Sequence, residues 1–206
     1  MSDVQTRQGI PIVVSAPSGG GKTTLCRRLL EKLSSLEFSI SHTTRAPRGQ
    51  EKDGVDYHFV SEAEFKKLIA EDKFLEWAEV HGNYYGSSLE AARKQLSAGS
   101  DVLFDIDIQG GYQIKEKMPD ALLIFIVPPS MTVLEQRLRG RASDAEDVIQ
   151  KRLEAAREEI EGAVRYSHWI INDDLEHALD TFSSVVVAGR VEQTDKQAMM
   201  NQVLGV

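Results

Sequence analysis

Ser15-Ala16-Pro17-Ser18-Gly19-Gly20-Gly21-Lys22-Thr23-Thr24 follows directly on the apolar run Ile10-Pro11-Ile12-Val13-Val14. A buried strand, a glycine-rich turn and a helix opening on Lys22-Thr23 together make a phosphate-binding loop. Backbone N–H groups of the turn and the positive end of the helix dipole converge on one spot, where a polyphosphate fits. In that motif Lys22 reaches the β- and γ-phosphates, and the Thr23 hydroxyl ligates Mg²⁺. Ala16 stands where the pattern G-x-x-x-x-G-K-[ST] has its first glycine, so this position must lie in an ordinary backbone conformation. A flexible Gly-Ser turn that merely precedes a lysine would need neither the strand before it nor the helix after it. The expected triphosphate site is therefore Ala16, Pro17, Ser18, Gly19, Gly20, Gly21, Lys22, Thr23 and Thr24.

Composition sets the outer limits. A chain of 206 residues can bury a large core and reads as one domain with appended parts. Its 41% hydrophobic and 27% charged residues are ordinary for a soluble globular protein. No apolar stretch approaches the roughly 18 to 20 residues of a membrane span, and Met1 to Gly9 is polar, unlike a signal peptide. The single cysteine, Cys26, has no disulfide partner in the chain and no metal-ligand companions, so it reads as a small packed residue in a reducing, cytoplasmic setting. A formal charge of −8 argues against a general nucleic-acid binder. It also requires that arginines be concentrated wherever an anionic nucleotide binds. Two such concentrations exist: Arg45-Ala-Pro-Arg48, and Arg137-Leu-Arg139-Gly-Arg141 with Arg152 downstream.

Leu25, Leu29, Leu30, Leu33 and Leu36 are spaced for one buried helical face. Phe38 to His42 alternates like a strand and leads into a loop over 43–54; Tyr57 to Val60 is a short strand. Ser61-Glu-Ala-Glu64 is a capping box before a helix carrying Phe65, Leu68 and Ile69. Phe74 to Val80 alternates again, Gly82 to Gly86 reads as a turn, and Ser87 or Ser88 caps a helix ending near Gly99. The runs 101–107 and 121–127 are nearly continuously apolar, as strands buried on both faces are. Ser130 opens a helix to about Arg139, and Ser143-Asp-Ala-Glu146 caps a longer one to about Arg165. A last strand (168–171) and a last helix (175 to about 188) follow. In the polar tail Met199, Met200, Val203 and Leu204 recur at helical spacing; docking on the body and docking on a second subunit, in a homo-oligomer, both stay open.

Strands alternating with helices imply an α/β fold with a mostly parallel sheet covered on both sides, its strands near 10–15, 101–106, 122–127 and 168–171 with a fifth from the early region. The stretch 37–98 breaks that rhythm and reads as an insertion closing over the sheet. A smaller second lid is expected around 137–157.

A triphosphate loop alone suits a hydrolase, a switch or a kinase; a second, acceptor site would separate them. Arg45 and Arg48 can grip a phosphate bidentately, with Tyr57 and Tyr85 adding hydroxyls, but the same run 41–48 also reads as a solvated basic loop. Arg137, Arg139 and Arg141 read equally as favourable charge at a helix C-terminus and as clamps on a transferring phosphoryl group. Asp105 and Asp107 end a strand beside the phosphate loop, where a carboxylate can hold Mg²⁺ through water, orient an acceptor, or simply cap the next turn. The five histidines fall at no ligand spacing.

Together the segments 15–23, 41–48, 53–59, 74–78, 82–87, 105–110, 126–130, 137–141, 151–153 and 171–174 resemble the guanylate kinases in order and spacing over about residues 10–189. The resemblance implies a P-loop kinase core (1–36, 99–136 and 158–189), a GMP-binding insertion (37–98), a small helical lid (137–157) and an unmatched tail (190–206). It implies transfer of the ATP γ-phosphoryl group to GMP with Mg²⁺. It places the GMP phosphate on Arg45, Arg48, Tyr57 and Tyr85 and the guanine on Ser41, Glu76 and Asp107, with Ser87 nearby and Glu51 and Asp105 in the same group. Arg137, Arg141 and Arg152 would face the ATP phosphates, Asn172 would lie near the adenine, and Lys22 and Arg45 would share the electrostatic work. The chemistry agrees with that transfer: guanine presents N1–H and N2–H₂ donors beside an O6 acceptor, and Glu76 with Ser41 supplies the complement. Two other readings compete. A P-loop kinase of another phosphorylated small molecule has no use for the Ser41–Glu76 pair, and a non-catalytic interaction module has no use for both an intact Lys22-Thr23 loop and an arginine-rich lid.

Overall fold

The computed structural model describes residues 7–140, 145–193 and 196–204. Strand β1 (Pro11–Ser15) is buried along its whole length and runs into the phosphate loop and helix α1 (Lys22–Lys32). After β2 (Leu36–Phe38) the chain builds β3 (His42–Thr43), β4 (His58–Phe59), α2 (Glu62–Ala70), β5 (Phe74–Val80), β6 (Asn83–Ser88) and α3 (Leu89–Ser97). It then returns through β7 (Asp101–Asp105), α4 (Ile108–Lys117), β8 (Leu122–Val127) and the helices α5 (Met131–Arg139) and α6 (Glu146–Gly162). A 3₁₀ turn (Ala163–Arg165), β9 (His168–Ile171), α7 (Leu175–Glu192) and α8 (Lys196–Leu204) complete it.

The main sheet has the order β2-β7-β1-β8-β9, and every pairing in it is parallel. Side chains alternate across it. Ile12, Val14 and Ile124 face Leu25 and Leu29 of α1 and Phe182 and Val186 of α7. Val13, Phe104 and Phe125 face Ala92 and Leu96 of α3 and Ile114 of α4. With both faces covered, the continuous apolar runs of β1, β7 and β8 are the expected outcome. A second sheet, β4-β3-β6-β5, carries the antiparallel β5–β6 hairpin. Helices α5 and α6 form a third body around Leu134, Leu138, Ile149, Leu153 and Ala156. Among the described residues no helix is long and apolar enough to cross a membrane.

Several local expectations change. The run 38–42 is divided between two sheets, because the Ser39 amide makes a last bond to the Leu103 carbonyl before the chain leaves to pair with β6. The turn expected over 82–86 is the two-residue loop His81-Gly82, with φ of 51° and 76°, and residues 83–88 are strand. Two successive positive φ values are what a tight hairpin with right-handed twist requires. Ser88, not Ser87, caps α3, and Ser61 caps α2 by accepting the Glu64 amide. Ser143 lies outside the described residues; α6 starts after Ala145 without a side-chain cap bond. Helix α7 runs past Gly189 to Glu192. That glycine is no stop signal but a close approach: a Cβ there would sit 2.4 Å from Leu122 Cδ1. In α8 the apolar residues Met199, Met200, Val203 and Leu204 remain exposed.

Candidate functional site

A pocket of about 320 Å³ lies where β1 ends, lined by Ala16 to Thr24, Asp107, Ile108 and Glu159. Helix α1 opens on Gly21 with no side-chain cap and no acidic residue in its first turn. Its first N–H groups are therefore available to an anion, with no acidic side chain of the helix's own first turn beside them. Ala16 is not among the positive-φ residues, so the alanine fits without strain. Gly21 does need to be glycine: its φ is 93°, and a Cβ would lie 2.1 Å from Asn172 Nδ2.

Asn172, placed near the adenine by the resemblance, is buried, and its side chain donates to the Gly20 carbonyl at 2.8 Å. Its own carbonyl accepts from Arg137 Nη2 at 2.7 Å. Arg137 and Asn172 thus join α5 and the end of β9 to the loop. Lys22 Nζ pairs with Asp105 Oδ1 at 2.6 Å and donates to the Ile106 carbonyl at 3.1 Å. The same carbonyl accepts Ser15 Oγ, which is hydrogen-bonded to Tyr166 at 2.7 Å. Of the lid arginines, Arg152 is half-buried on α6 and Arg141 lies outside the described residues. Arg139 is drawn into ion pairs with Glu135 and Glu146 on the outer side of the α5–α6 pair.

The insertion builds a second pocket of about 170 Å³, lined by Ser41, Tyr57, Glu76, Ala78, Val80, Tyr85, Asp105, Ile106 and Asp107. Glu76 projects from β5, is buried, and accepts Ser87 Oγ at 2.6 Å. Burial, with Asp107 adding to it, pushes its carboxyl up to about 7, against the pull of the Ser87 hydroxyl. Next to Glu76 in β5, the Trp77 amide donates to the Gln113 side-chain oxygen at 3.2 Å. Helix α4 comes close enough that a Cβ on Gly110 would sit 3.1 Å from Glu76 Oε2. Asp107 performs the capping role as well, accepting the Gly110 amide at 2.8 Å as the N-cap of α4.

At the mouth of this pocket Arg45, itself buried, is gripped by both carboxylate oxygens of Glu51 at 2.9 and 3.0 Å. Glu51 Oε2 also accepts the Arg48 amide at 2.7 Å. The Glu51 hydrogen bonds raise the Arg45 pKa further, so its charge is permanent, and they aim the guanidinium over the Tyr57 ring at 5.3 Å. Tyr57 and Tyr85 meet edge-on, their centroids 6.1 Å apart. Glu51, grouped with the GMP residues from the sequence, is hydrogen-bonded to Arg45 and to the Arg48 amide.

The two pockets share Asp107 as a lining residue. An anion-binding loop and a polar, carboxylate-bearing pocket fringed by arginine and tyrosine hydroxyls thus abut. Such an arrangement can hold two phosphorylated ligands end to end. Sequence reasoning missed Glu159, which enters the first pocket from α6. The signal was its place seven residues after Arg152, on the same helical face.

Comparison with known proteins points one way. Residues 8–188 match the family model for guanylate kinase. The guanylate kinase of Oleidesulfovibrio alaskensis is 47% identical over 201 residues, covering 98% of each chain. That of Dechloromonas aromatica is 53% identical over 176 residues, covering 85% of this chain and 87% of the other. The crystal structure of guanylate kinase from Anaplasma phagocytophilum superposes with a TM-score of 0.74 at 32% identity, covering 97% of both chains.

Proposed function

The chain belongs to the guanylate kinase family, and from that premise we infer how its two pockets divide the transfer of the ATP γ-phosphoryl group to GMP, which gives ADP and GDP. The first pocket takes the ATP phosphates, held by the loop amides and Lys22. The second takes GMP, with guanine toward Ser41, Glu76 and Asp107 and the phosphate toward Arg45, Arg48, Tyr57 and Tyr85. Buried Glu76 carries this reading: a carboxylate inside a pocket that adjoins a phosphate loop answers the paired N–H donors of guanine, and adenine offers no such pair.

In such transfers the protein positions the reactants and stabilises charge; no covalent enzyme intermediate is needed. The attacking group is an oxygen of the GMP phosphate, and ADP leaves. Arg45 and Arg48 hold the acceptor phosphate in line, while Lys22, Arg137, Arg141 and Arg152 neutralise charge on the donor side. Before transfer Lys22 exchanges its pairing with Asp105 for the phosphates. The insertion (37–98) and the lid (137–157) act as flaps that exclude water from the 1–36, 99–136 and 158–189 core.

The donor set of the first pocket suits Mg²⁺: the Thr23 hydroxyl and the Asp107 and Glu159 carboxylates are hard oxygen ligands. Among the described residues no cluster of three or more side chains forms a metal cage by itself. An ion held chiefly through substrate phosphates and Thr23 needs no such cluster. When bound it would neutralise charge between the β- and γ-phosphates. Under this reading the enzyme works in the cytoplasm, where its nucleotide substrates are.

A coupled ADP-release assay with GMP, AMP, dGMP and UMP tests the assignment. Turnover with GMP far above AMP and UMP is expected. Equal use of AMP would remove guanine recognition from the second pocket, and no turnover with any acceptor would favour an interaction module.

A further inference from the structure

Of the oxygen donors in the phosphate pocket, one carboxylate is unusually placed. Glu159 lines the same pocket as Lys22 and Thr23, yet its Oε2 is buried and makes no hydrogen bond among the described residues. Burial holds its carboxyl above the usual range, and Asp107 adds to this. The Ser18 amide and Lys22 pull the other way. Lys22 does not neutralise it, because the ammonium group is taken by Asp105 at 2.6 Å. A buried acceptor oxygen without a donor is costly, and a carboxylate beside a polyphosphate is costlier still unless a cation stands between them. Helix α6 carries Arg152 and, two turns later on the same face, Glu159, which enters the pocket.

We propose that Glu159 is a specificity residue that makes the phosphate loop prefer magnesium-complexed ATP over metal-free polyphosphate. The proposal rests on the ATP-site reading above. Metal-free ATP brings its full negative charge against the carboxylate. The magnesium complex cancels much of that charge, and water molecules on the ion are donors for the oxygen that lacks one.

The test is calorimetric titration of wild type, Glu159→Gln and Glu159→Asp with ATP in excess chelator and with ATP in excess Mg²⁺, all at one fixed pH. Glutamine keeps the shape and an acceptor toward Ser18. Glu159→Gln is expected to bind metal-free ATP about tenfold more tightly while its affinity for the magnesium complex moves less than about threefold. Glu159→Asp, which keeps the charge, is expected to keep the wild-type preference. Equal shifts for both ligands in Glu159→Gln, or none, would overturn the role of Glu159 while leaving the ATP site standing. Failure of the wild type to bind ATP in either form would overturn the ATP-site reading, and this inference with it.

Discussion

The phosphate loop and the pocket proposed for guanine address the same problem, holding an anionic nucleotide on a net-negative protein, by opposite means. The loop is made from backbone: residues 16–24 are contiguous, run from the end of β1 into the first turn of α1, and offer amides and a helix dipole. The pocket is made from side chains brought in from β5, β6, the loop after β3 and the N-terminus of α4 on separate elements. Backbone donors are fixed by the fold and indifferent to the base. Side-chain acceptors are base-specific, and their ionisation is exposed to their surroundings. Damage to the first should cost catalysis for every acceptor, whereas damage to the second should cost recognition of one base.

The largest expected effect breaks the loop. Lys22→Met removes the charge, keeps most of the stem and leaves Asp105 without its partner. Phosphoryl transfer should fall by at least about 10²-fold, since a fixed charge at the γ-phosphate acts mainly in the transition state. Steady-state assays on the folded variant check this, and near-normal kcat would contradict the loop assignment.

A smaller effect sharpens the contrast through pH. In the proposed pose guanine N–H groups require Glu76 as carboxylate, and burial has pushed that carboxyl up to about 7. GMP binding must therefore expel a proton as pH drops below 7, and KM for GMP should rise up to about tenfold per pH unit there. Above pH 7 the group is already ionised and KM should level off. The phosphate of GMP also titrates near about 6, so the comparison is with Glu76→Gln, in which the portion due to the carboxyl should vanish. The pH profile of KM for ATP should be the same in wild type and Glu76→Gln, because Glu76 lies outside the phosphate pocket.

What the sequence made legible follows the same division. The loop could be read from ten consecutive residues because a backbone site writes itself into one stretch. The parallel sheet was readable from its apolar runs, though not the division of 38–42 between two sheets, which depends on β6 being nearby. For the second pocket the residue types were visible, but their convergence was not. That Glu51 grips Arg45, or that Asp107 both caps α4 and lines two pockets, depends on loop geometry without periodicity. Contacts across long separations were the hardest to read: the bond from Asn172 to the Gly20 carbonyl needs the whole chain folded, and the one trace of Glu159 in the phosphate pocket was its helical spacing from Arg152.

The most direct measurement is a two-substrate kinetic comparison of wild type with Glu76→Gln at about pH 8, where the wild-type carboxyl is ionised. The substitution keeps size but turns one acceptor into a donor facing a guanine N–H. Hydrogen bonds to a charged group contribute roughly 1.5–3 kcal/mol, so kcat/KM for GMP should fall about ten- to a hundred-fold. KM for ATP should stay within about threefold of wild type, and discrimination against AMP should narrow. Intact GMP kinetics, or equal damage to ATP and GMP, would mean that Glu76 is a structural carboxylate and that guanine is not read in this pocket.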